Sequence, residues 1–126
     1  MTVVVDTSVL IDHLRGDART RDLLLAKQRA GHGLAASALT RVELLAGTRS
    51  AEMGQLDALF AVIRWVDVDT RIADRAGNYA NHYLASHRAI DTTDYVIAAT
   101  AAQLNAELLT TNVKHFPMIP GLRAPY

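Results

Sequence analysis

The apolar positions along the chain predict four short strands separated by helices. Residues 2–5 are all β-branched and show no apolar–polar alternation, which is typical of a strand buried on both faces of a parallel sheet. Further short strands are predicted at 33–36, 64–68 and 107–111. Strands separated by helices in this way predict an α/β fold, an α/β/α sandwich with a central, mostly parallel sheet.

The segments between the strands show helical periodicity. The third of them carries an apolar stripe that we expect to be buried, and the sixth is apolar on nearly every side, which predicts a helix inside the protein. The stripe consists of Leu39, Val42, Leu45 and Ala46. The expected bounds of the six helices are 7–14, 19–30, 38–47, 50–63, 72–86 and 91–105. Prolines make the tail after them irregular.

The composition indicates one globular domain spanning residues 1–126. Of the 126 residues 50% are apolar and 21% charged, and the chain is too short to divide into two units that each bury a core. The absence of cysteine excludes a disulfide framework, a thiolate nucleophile and a cysteine zinc site. No basic leader precedes Asp6, and no window reaches the ~20 apolar residues of a membrane span. We therefore expect a cytoplasmic protein without a membrane segment.

Because the chain has no net charge, a polyanion could bind only where cations are clustered locally. Thirteen basic and thirteen acidic side chains cancel, whereas nucleic-acid-binding domains are usually strongly basic. The densest group of cations falls between residues 15 and 29, where it is interleaved with Asp17 and Asp22. The simpler interpretation of this group is a solvated helix face. Three of its members are nevertheless candidates for contacts to a phosphate backbone: Arg15, Arg19 and Arg21.

Acidic and amide side chains stand where predicted strands end and helices begin. Asp6 ends the first strand, and Asn112 follows the last one. Asp91 and Asp94 open the long apolar helix, and Glu43 lies in the third helix. Because the binding crevice of a parallel sheet lies beyond the carboxyl ends of its strands, these side chains are the first candidates for a functional site.

Each of these residues also has a purely structural interpretation. Asp6 could cap the helix that follows it. Glu43 lies at the margin of the apolar stripe and could pair with Arg41 or Arg49. The two aspartates of the sixth helix match a capping box, in which each side chain accepts a hydrogen bond from the backbone of the other residue. The residues alone leave these alternatives open.

Three carboxylates brought together would need a compensating cation. If Asp6, Glu43 and Asp94 converge, their mutual repulsion is on the order of several kcal/mol at low dielectric unless protons or a cation offset it. Carboxylate oxygens are hard ligands, which favour Mg²⁺ or Mn²⁺ over zinc. Such an ion can activate a water next to a phosphate. The chemistry indicated is phosphodiester hydrolysis.

Four segments together carry a resemblance to a known family. They are VVDTSVLID at 4–12, LTRVELLAG at 39–47, IDTTDYVIAATA at 90–101 and LTTNVKHF at 109–116. In this order and spacing they resemble the PIN-domain toxins of the VapC group, over nearly the whole chain. The resemblance implies a PIN-like α/β/α sandwich and a Mg²⁺-dependent endoribonuclease that cuts structured RNA of the tRNA or rRNA class. It also implies the toxin half of a bacterial toxin–antitoxin pair.

The resemblance implies roles for individual residues. It places metal-binding acids on Asp6, Glu43 and Asp94, and Asn112 completes the catalytic set. Mg²⁺ is the implied cofactor, with Mn²⁺ as the alternative. Many relatives have an acid at the position of His115, which is a candidate proton donor or phosphate contact.

Supporting groups and partners follow from the same resemblance. Asp91 is expected as a cap or supporting group, and Ser8 and Thr110 as hydroxyls that orient the carboxylates or a water. The implied partners are an RNA substrate, gripped by the three arginines named above, and a VapB-like antitoxin that inserts a segment over the acidic pocket. A homodimer is also implied, with helices 56–63 and 72–84 as the expected contacts.

Two rival functions stay open. An aspartate phosphotransferase of the haloacid dehalogenase kind would use Asp6 as its nucleophile, but it requires an acid two residues later, where this chain has Ser8. A PIN fold that binds RNA or a protein without cutting is kept open by Asn112 and His115, neither of which is a carboxylate.

Overall fold

A computed structural model describes the whole chain, Met1–Tyr126, as a sheet of four parallel strands between two layers of helices. The strands are β1 (Thr2–Val5), β2 (Gly33–Ser37), β3 (Arg64–Val66) and β4 (Glu107–Leu109), in the order β3-β2-β1-β4. Every neighbouring pair is parallel. The predicted α/β/α sandwich is confirmed.

Six α-helices connect the strands, as the periodicity predicted. Their bounds are α1 (Thr7–Leu14), α2 (Ala18–Arg29), α3 (Ala38–Gly47), α4 (Met53–Val62), α5 (Thr70–Tyr83) and α6 (Thr92–Gln103). Short 3₁₀ helices cover Ser50–Glu52 and Val113–His115. The predicted helix 50–63 therefore begins with a 3₁₀ turn, and α5 begins earlier than predicted because Asp69 caps it.

The two faces of β1 belong to different cores. Val3 and Val5 pack in a cluster with residues of α1, α2 and α4, whereas Val4 packs in a second cluster with residues of α6. All three side chains are at most 1% exposed, so the expectation of a strand buried on both faces is confirmed. A third cluster joins α5 to α6, and α6 is buried at every position from 94 to 101. The sheet thus holds the carboxyl ends of β1 and β4 side by side.

The expected buried stripe of α3 is wrong. Val42 is 61% and Leu45 is 45% exposed, while the buried residues of this helix are Thr40 and Leu44. Thr40 and Leu44 lie four residues apart and therefore share one face of the helix. The Thr40 hydroxyl lies 3.1 Å from that of Thr7, so a polar residue can occupy the inner face.

The apolar residues of α4 and α5 are used mainly inside this chain. Leu56, Leu59 and Ile72 are buried in the core, and the large exposed apolar side chains in and next to these helices are Met53, Val62, Val68 and Leu84. The homodimer stays a prediction, but most of the residues that suggested its contacts are not available at the surface. None of the helices combines the length and the apolar composition that a membrane crossing requires.

Substitutions of two neighbouring leucines in α2 test which face of this helix packs against the core. Leu24 is 5% exposed and Leu25 is 39% exposed. We expect Leu24→Ala to lower the free energy of unfolding by about 2–5 kcal/mol, because it leaves a cavity under the sheet. Leu25→Ala should cost less than about 1 kcal/mol. Urea denaturation of both variants measures the difference, and equal losses would show that α2 is rotated from the position described.

Candidate active site

The carboxyl ends of β1 and β4 open into a polar cavity of about 370 Å³. Of its twelve lining residues only Ile11 is apolar. The candidate residues on its wall are Asp6, Ser8, Glu43, Asp91, Asp94, Asn112 and His115. They come from the end of β1, from α1 and α3, from the start of α6 and from the segment after β4, so the fold brings together residues that are far apart in the sequence. Thr110 lies behind this wall, fully buried.

Asp6 is held rigidly between two segments of the chain. It is 3% exposed, and its Oδ1 accepts a hydrogen bond of 2.9 Å from the backbone N–H of Thr7. Its Oδ2 accepts hydrogen bonds from the hydroxyls of Ser8 (2.9 Å) and Thr110 (2.7 Å). These charge-assisted hydrogen bonds fix the carboxylate and leave lone pairs for the cavity. Asp6 is the N-cap of α1 as well, so the structural interpretation holds together with its place in the cavity.

Asp91 and Asp94 form the capping box that the sequence suggested. Oδ1 of Asp91 accepts from the Asp94 backbone N–H at 3.0 Å, and Oδ2 of Asp94 accepts from the Asp91 backbone N–H at 3.2 Å. Asp94 is nevertheless 9% exposed and lines the cavity. Its Oδ1 accepts no hydrogen bond from the protein, so one oxygen of this carboxylate stays free.

The surroundings of Asp94 favour its neutral form. Burial is the main cause that raises its pKa from 3.8 to about 6, and the negative charges of Asp91 and Asp6 act in the same direction. The hydrogen bond from the Asp91 backbone and the imidazole of His115 lower the pKa of Asp94 in part. The ionised carboxylate therefore lacks sufficient positive charge from the protein itself.

Glu43 approaches the cavity from α3 through a hydrogen bond to α1. The Thr7 hydroxyl donates to its Oε1 at 2.7 Å, while Oε2 makes no hydrogen bond within the protein. The suggested pairing with Arg41 or Arg49 is wrong. Arg41 instead lies over the rings of Phe60 and Trp65, 4.3 and 5.2 Å from their centroids.

Asn112 and His115 close the side of the cavity that follows β4. The Asn112 side chain is exposed and makes no hydrogen bond, and its backbone N–H donates to Thr110 at 3.0 Å. Nδ1 of His115 lies 3.1 Å from Oδ2 of Asp94. Both residues therefore line the cavity with the acids that the resemblance grouped with them, and His115 contacts one of these acids.

Only one of the three candidate arginines lines the cavity. Arg15 lies on its wall, whereas Arg19 pairs with Asp17 at 2.8 Å and Arg21 approaches Asp22 at 3.7 Å. The Arg19 guanidinium holds the pKa of Asp17 below its usual value. The simpler interpretation of this cationic segment, a solvated face of paired charges, therefore describes two of the three.

Sequence reasoning missed four residues of the cavity wall: Thr7, Ile11, Asp12 and Thr111. Thr7 orients Glu43, and its only signal was a hydroxyl directly after the strand-ending Asp6. Asp12 lies four residues after Ser8 and therefore on the same face of α1, which could have been read from the spacing. Its Oδ2 accepts a hydrogen bond from the hydroxyl of Tyr126.

The donor set suits a hard divalent cation, although it is not a closed cage. No three acidic or histidine side chains stand close enough together to hold an ion among them. One free carboxylate oxygen each on Glu43 and Asp94, and the remaining lone pairs of Asp6, nevertheless belong to residues that line one cavity. Mg²⁺ is commonly bound by one or two carboxylates and several waters, so an open oxygen-rich wall fits that ion better than a preformed cage would.

Comparison with known proteins places this geometry in a family. The family model described as PIN domain matches residues 3–121. The chain belongs to the PIN-domain family. This PIN domain is similar to Ribonuclease VapC19 of Mycobacterium tuberculosis, at 48% identity over 123 residues that cover 98% of each chain.

Two further similarities cover the PIN domain almost completely. Ribonuclease VapC10 of Mycobacterium tuberculosis is 41% identical over 124 residues, which cover 98% of this chain and 92% of the relative. The solved toxin–antitoxin complex from Klebsiella pneumoniae contains a chain with a TM-score of 0.81 and 26% identity, covering 98% of both chains. The PIN-domain toxin resemblance drawn from four short segments is thereby confirmed.

Asp94→Asn should stabilise the metal-free PIN domain at neutral pH. Because the pKa of Asp94 is raised on folding, the folded state keeps this proton to a higher pH than the unfolded state. The free energy of unfolding of the wild type therefore falls as the pH rises from about 4 to about 6, and this contribution is level above that range. Asparagine can accept the same backbone hydrogen bond without the charge, so we expect a gain of ~1–2 kcal/mol at about pH 7.5.

Urea denaturation of both proteins in the presence of a chelator, at several pH values, measures this gain. The advantage of Asp94→Asn should grow between about pH 4 and about pH 6. An advantage that is independent of pH, or a less stable variant at neutral pH, would show that the Asp94 carboxylate is not destabilised by its surroundings.

Proposed function

We propose that this chain is a Mg²⁺-dependent endoribonuclease and the toxin of a toxin–antitoxin pair. The observation that carries the proposal is the convergence of Asp6, Glu43 and Asp94, from three different elements, on one cavity. The names of two relatives, both ribonucleases at more than 40% identity over nearly the whole chain, support the same activity.

Asp6 and Asp94 would hold the ion, with Glu43 at its edge and Mn²⁺ as the alternative to Mg²⁺. When bound, the ion would offset the repulsion among the acids and supply the Lewis acidity for phosphodiester hydrolysis. Ser8 and Thr110 fix the orientation of Asp6 by donating to its Oδ2. This arrangement spares the carboxylate any reorganisation when the ion arrives.

Glu43 is the residue best placed to handle the attacking water. The hydrogen bond from Thr7 to Oε1 orients the carboxylate, and Oε2 is free to accept a proton from water. Asn112 can donate its free amide to a phosphate oxygen. Attack in line with the leaving oxygen would give products that end in 5′-phosphate and 3′-hydroxyl, as the family resemblance implies.

Arg15 is the cation most suited to contact the RNA backbone beside the cavity. It lines the wall and forms no ion pair in the structure, whereas Arg19 is neutralised by Asp17. Since the chain has no net charge, a structured RNA of the tRNA or rRNA class would be held mainly at this edge. A ribonuclease of this kind would act in the cytoplasm, where such RNA resides.

A groove beside the cavity is the expected seat of an antitoxin segment. It measures about 390 Å³ and is lined by apolar and charged residues, among them Leu14, Leu44 and Arg49. It shares Arg15 and Glu43 with the acidic cavity, so a bound segment could reach the carboxylates. The solved complexes of similar chains with antitoxins support a VapB-like partner. A homodimer stays part of the proposal.

The nuclease proposal is tested with RNA and the Asp94→Asn variant. We expect the wild type with Mg²⁺ or Mn²⁺ to cut structured RNA, and the variant to be slower by at least about 10³-fold, because it loses a ligand charge worth several kcal/mol in the transition state. The variant is expected to be at least as stable as the wild type, so unfolding cannot explain the loss. Mapping the RNA ends after induction in cells identifies the cleaved sites.

Asp74→Asn, an exposed charge change on α5, is the matched control and should keep full activity. If wild type and Asp94→Asn leave the RNA equally intact with either ion, the catalytic proposal fails. A non-cleaving PIN fold that binds RNA or protein would then be the better description.

A further inference from the structure

His115 lies beside Asp94 on the wall of the acidic cavity. Its Nδ1 lies 3.1 Å from Oδ2 of Asp94, and both residues line the acidic cavity. The side chain of His115 is 36% exposed, so it is accessible to solvent ions. The adjacent Phe116 is 1% exposed in the core and anchors the backbone at this position. The imidazole is therefore held beside Asp94 by the fold.

The distance between the two side chains suits a shared ion. Two ligands in neighbouring positions of an octahedral ion, with bonds of about 2.1 Å, are about 3.0 Å apart. The His115–Asp94 pair matches that spacing. The contact joins a ring nitrogen to a carboxylate oxygen and is not among the hydrogen bonds of the structure. The two groups are thus placed to converge on a third partner.

The chemistry of the nitrogen donor distinguishes among divalent ions. Mg²⁺ strongly prefers oxygen ligands, whereas first-row transition ions also accept imidazole nitrogen. All other charged groups on the cavity wall except Arg15 are carboxylates, so His115 is the one softer donor in the set. An imidazole that binds a metal is neutral, so it adds no negative charge where many relatives have an acid, and the attraction for a hard ion is weaker.

We propose that His115 is a direct nitrogen ligand of the ion and gives this site a preference for Mn²⁺ over Mg²⁺. The inference rests on the proposed function, because it takes Asp94 as a neighbouring ligand. It goes beyond that function by naming the residue that selects the metal.

Pulsed electron paramagnetic resonance of Mn²⁺ bound to the RNA-free protein tests the ligand directly. The wild type should show a coupling of the Mn²⁺ electrons to an imidazole nitrogen. That coupling should disappear in His115→Ala, together with a roughly 10–100-fold loss of Mn²⁺ affinity. His82→Asn, an exposed substitution on α5, should keep both the coupling and the affinity.

Calorimetric titration of His115→Asp with both ions tests the selectivity. The carboxylate keeps a ligand at this position, so Mn²⁺ should still bind without nitrogen coupling, and the ratio of the Mg²⁺ to the Mn²⁺ dissociation constant should fall by about tenfold. If His115 only neutralises Asp94, His115→Ala would bind Mn²⁺ as tightly as the wild type or more tightly, which overturns the inference. Mn²⁺ bound without nitrogen coupling in the wild type overturns it as well and leaves the nuclease intact. Absence of any Mn²⁺ binding overturns both.

Discussion

The burial of two carboxylates in one cavity, Asp6 after β1 and Asp94 in the first turn of α6, is the constraint on which the site depends. The fold compensates them unequally. Asp6 receives three hydrogen bonds, two of them from the hydroxyls of Ser8 and Thr110. Asp94 receives one backbone hydrogen bond and the partial help of His115, and its pKa remains raised to about 6. The uncompensated negative charge therefore lies mainly on Asp94. A divalent cation would neutralise this charge.

The same imbalance explains how a chain without net charge could act on a polyanion. Three of the five cations between residues 15 and 29 are paired within the chain, as Arg19 is with Asp17. A cation at the acidic cavity would offset the negative potential at the point where a phosphate must lie. Arg15 adds a second positive charge on the same wall. Phosphate binding and hydrolysis would then take place at the same part of the surface.

Much of the fold was predictable because burial on both faces leaves a clear pattern. The unbroken valines of β1 and the apolar helix α6 were recognised for that reason. The orientation of α3 was not predictable in this way. Polar Thr40 faces inward because it forms a hydrogen bond with Thr7, and a hydrophobic pattern gives no sign of such a contact. The acids of the site were found from their places at strand and helix ends. Their mutual distances, and the pairing of Arg19, depend on side-chain contacts between distant segments and needed the structure.

The central claim is that Asp6 and Asp94 share one divalent ion. Anomalous diffraction from crystals grown with Mn²⁺ measures this most directly, because it locates the ion independently of its ligands. We expect a single strong peak within about 2.5 Å of a carboxylate oxygen of each residue. A peak outside the acidic cavity, or one bound to neither Asp6 nor Asp94, would contradict the claim.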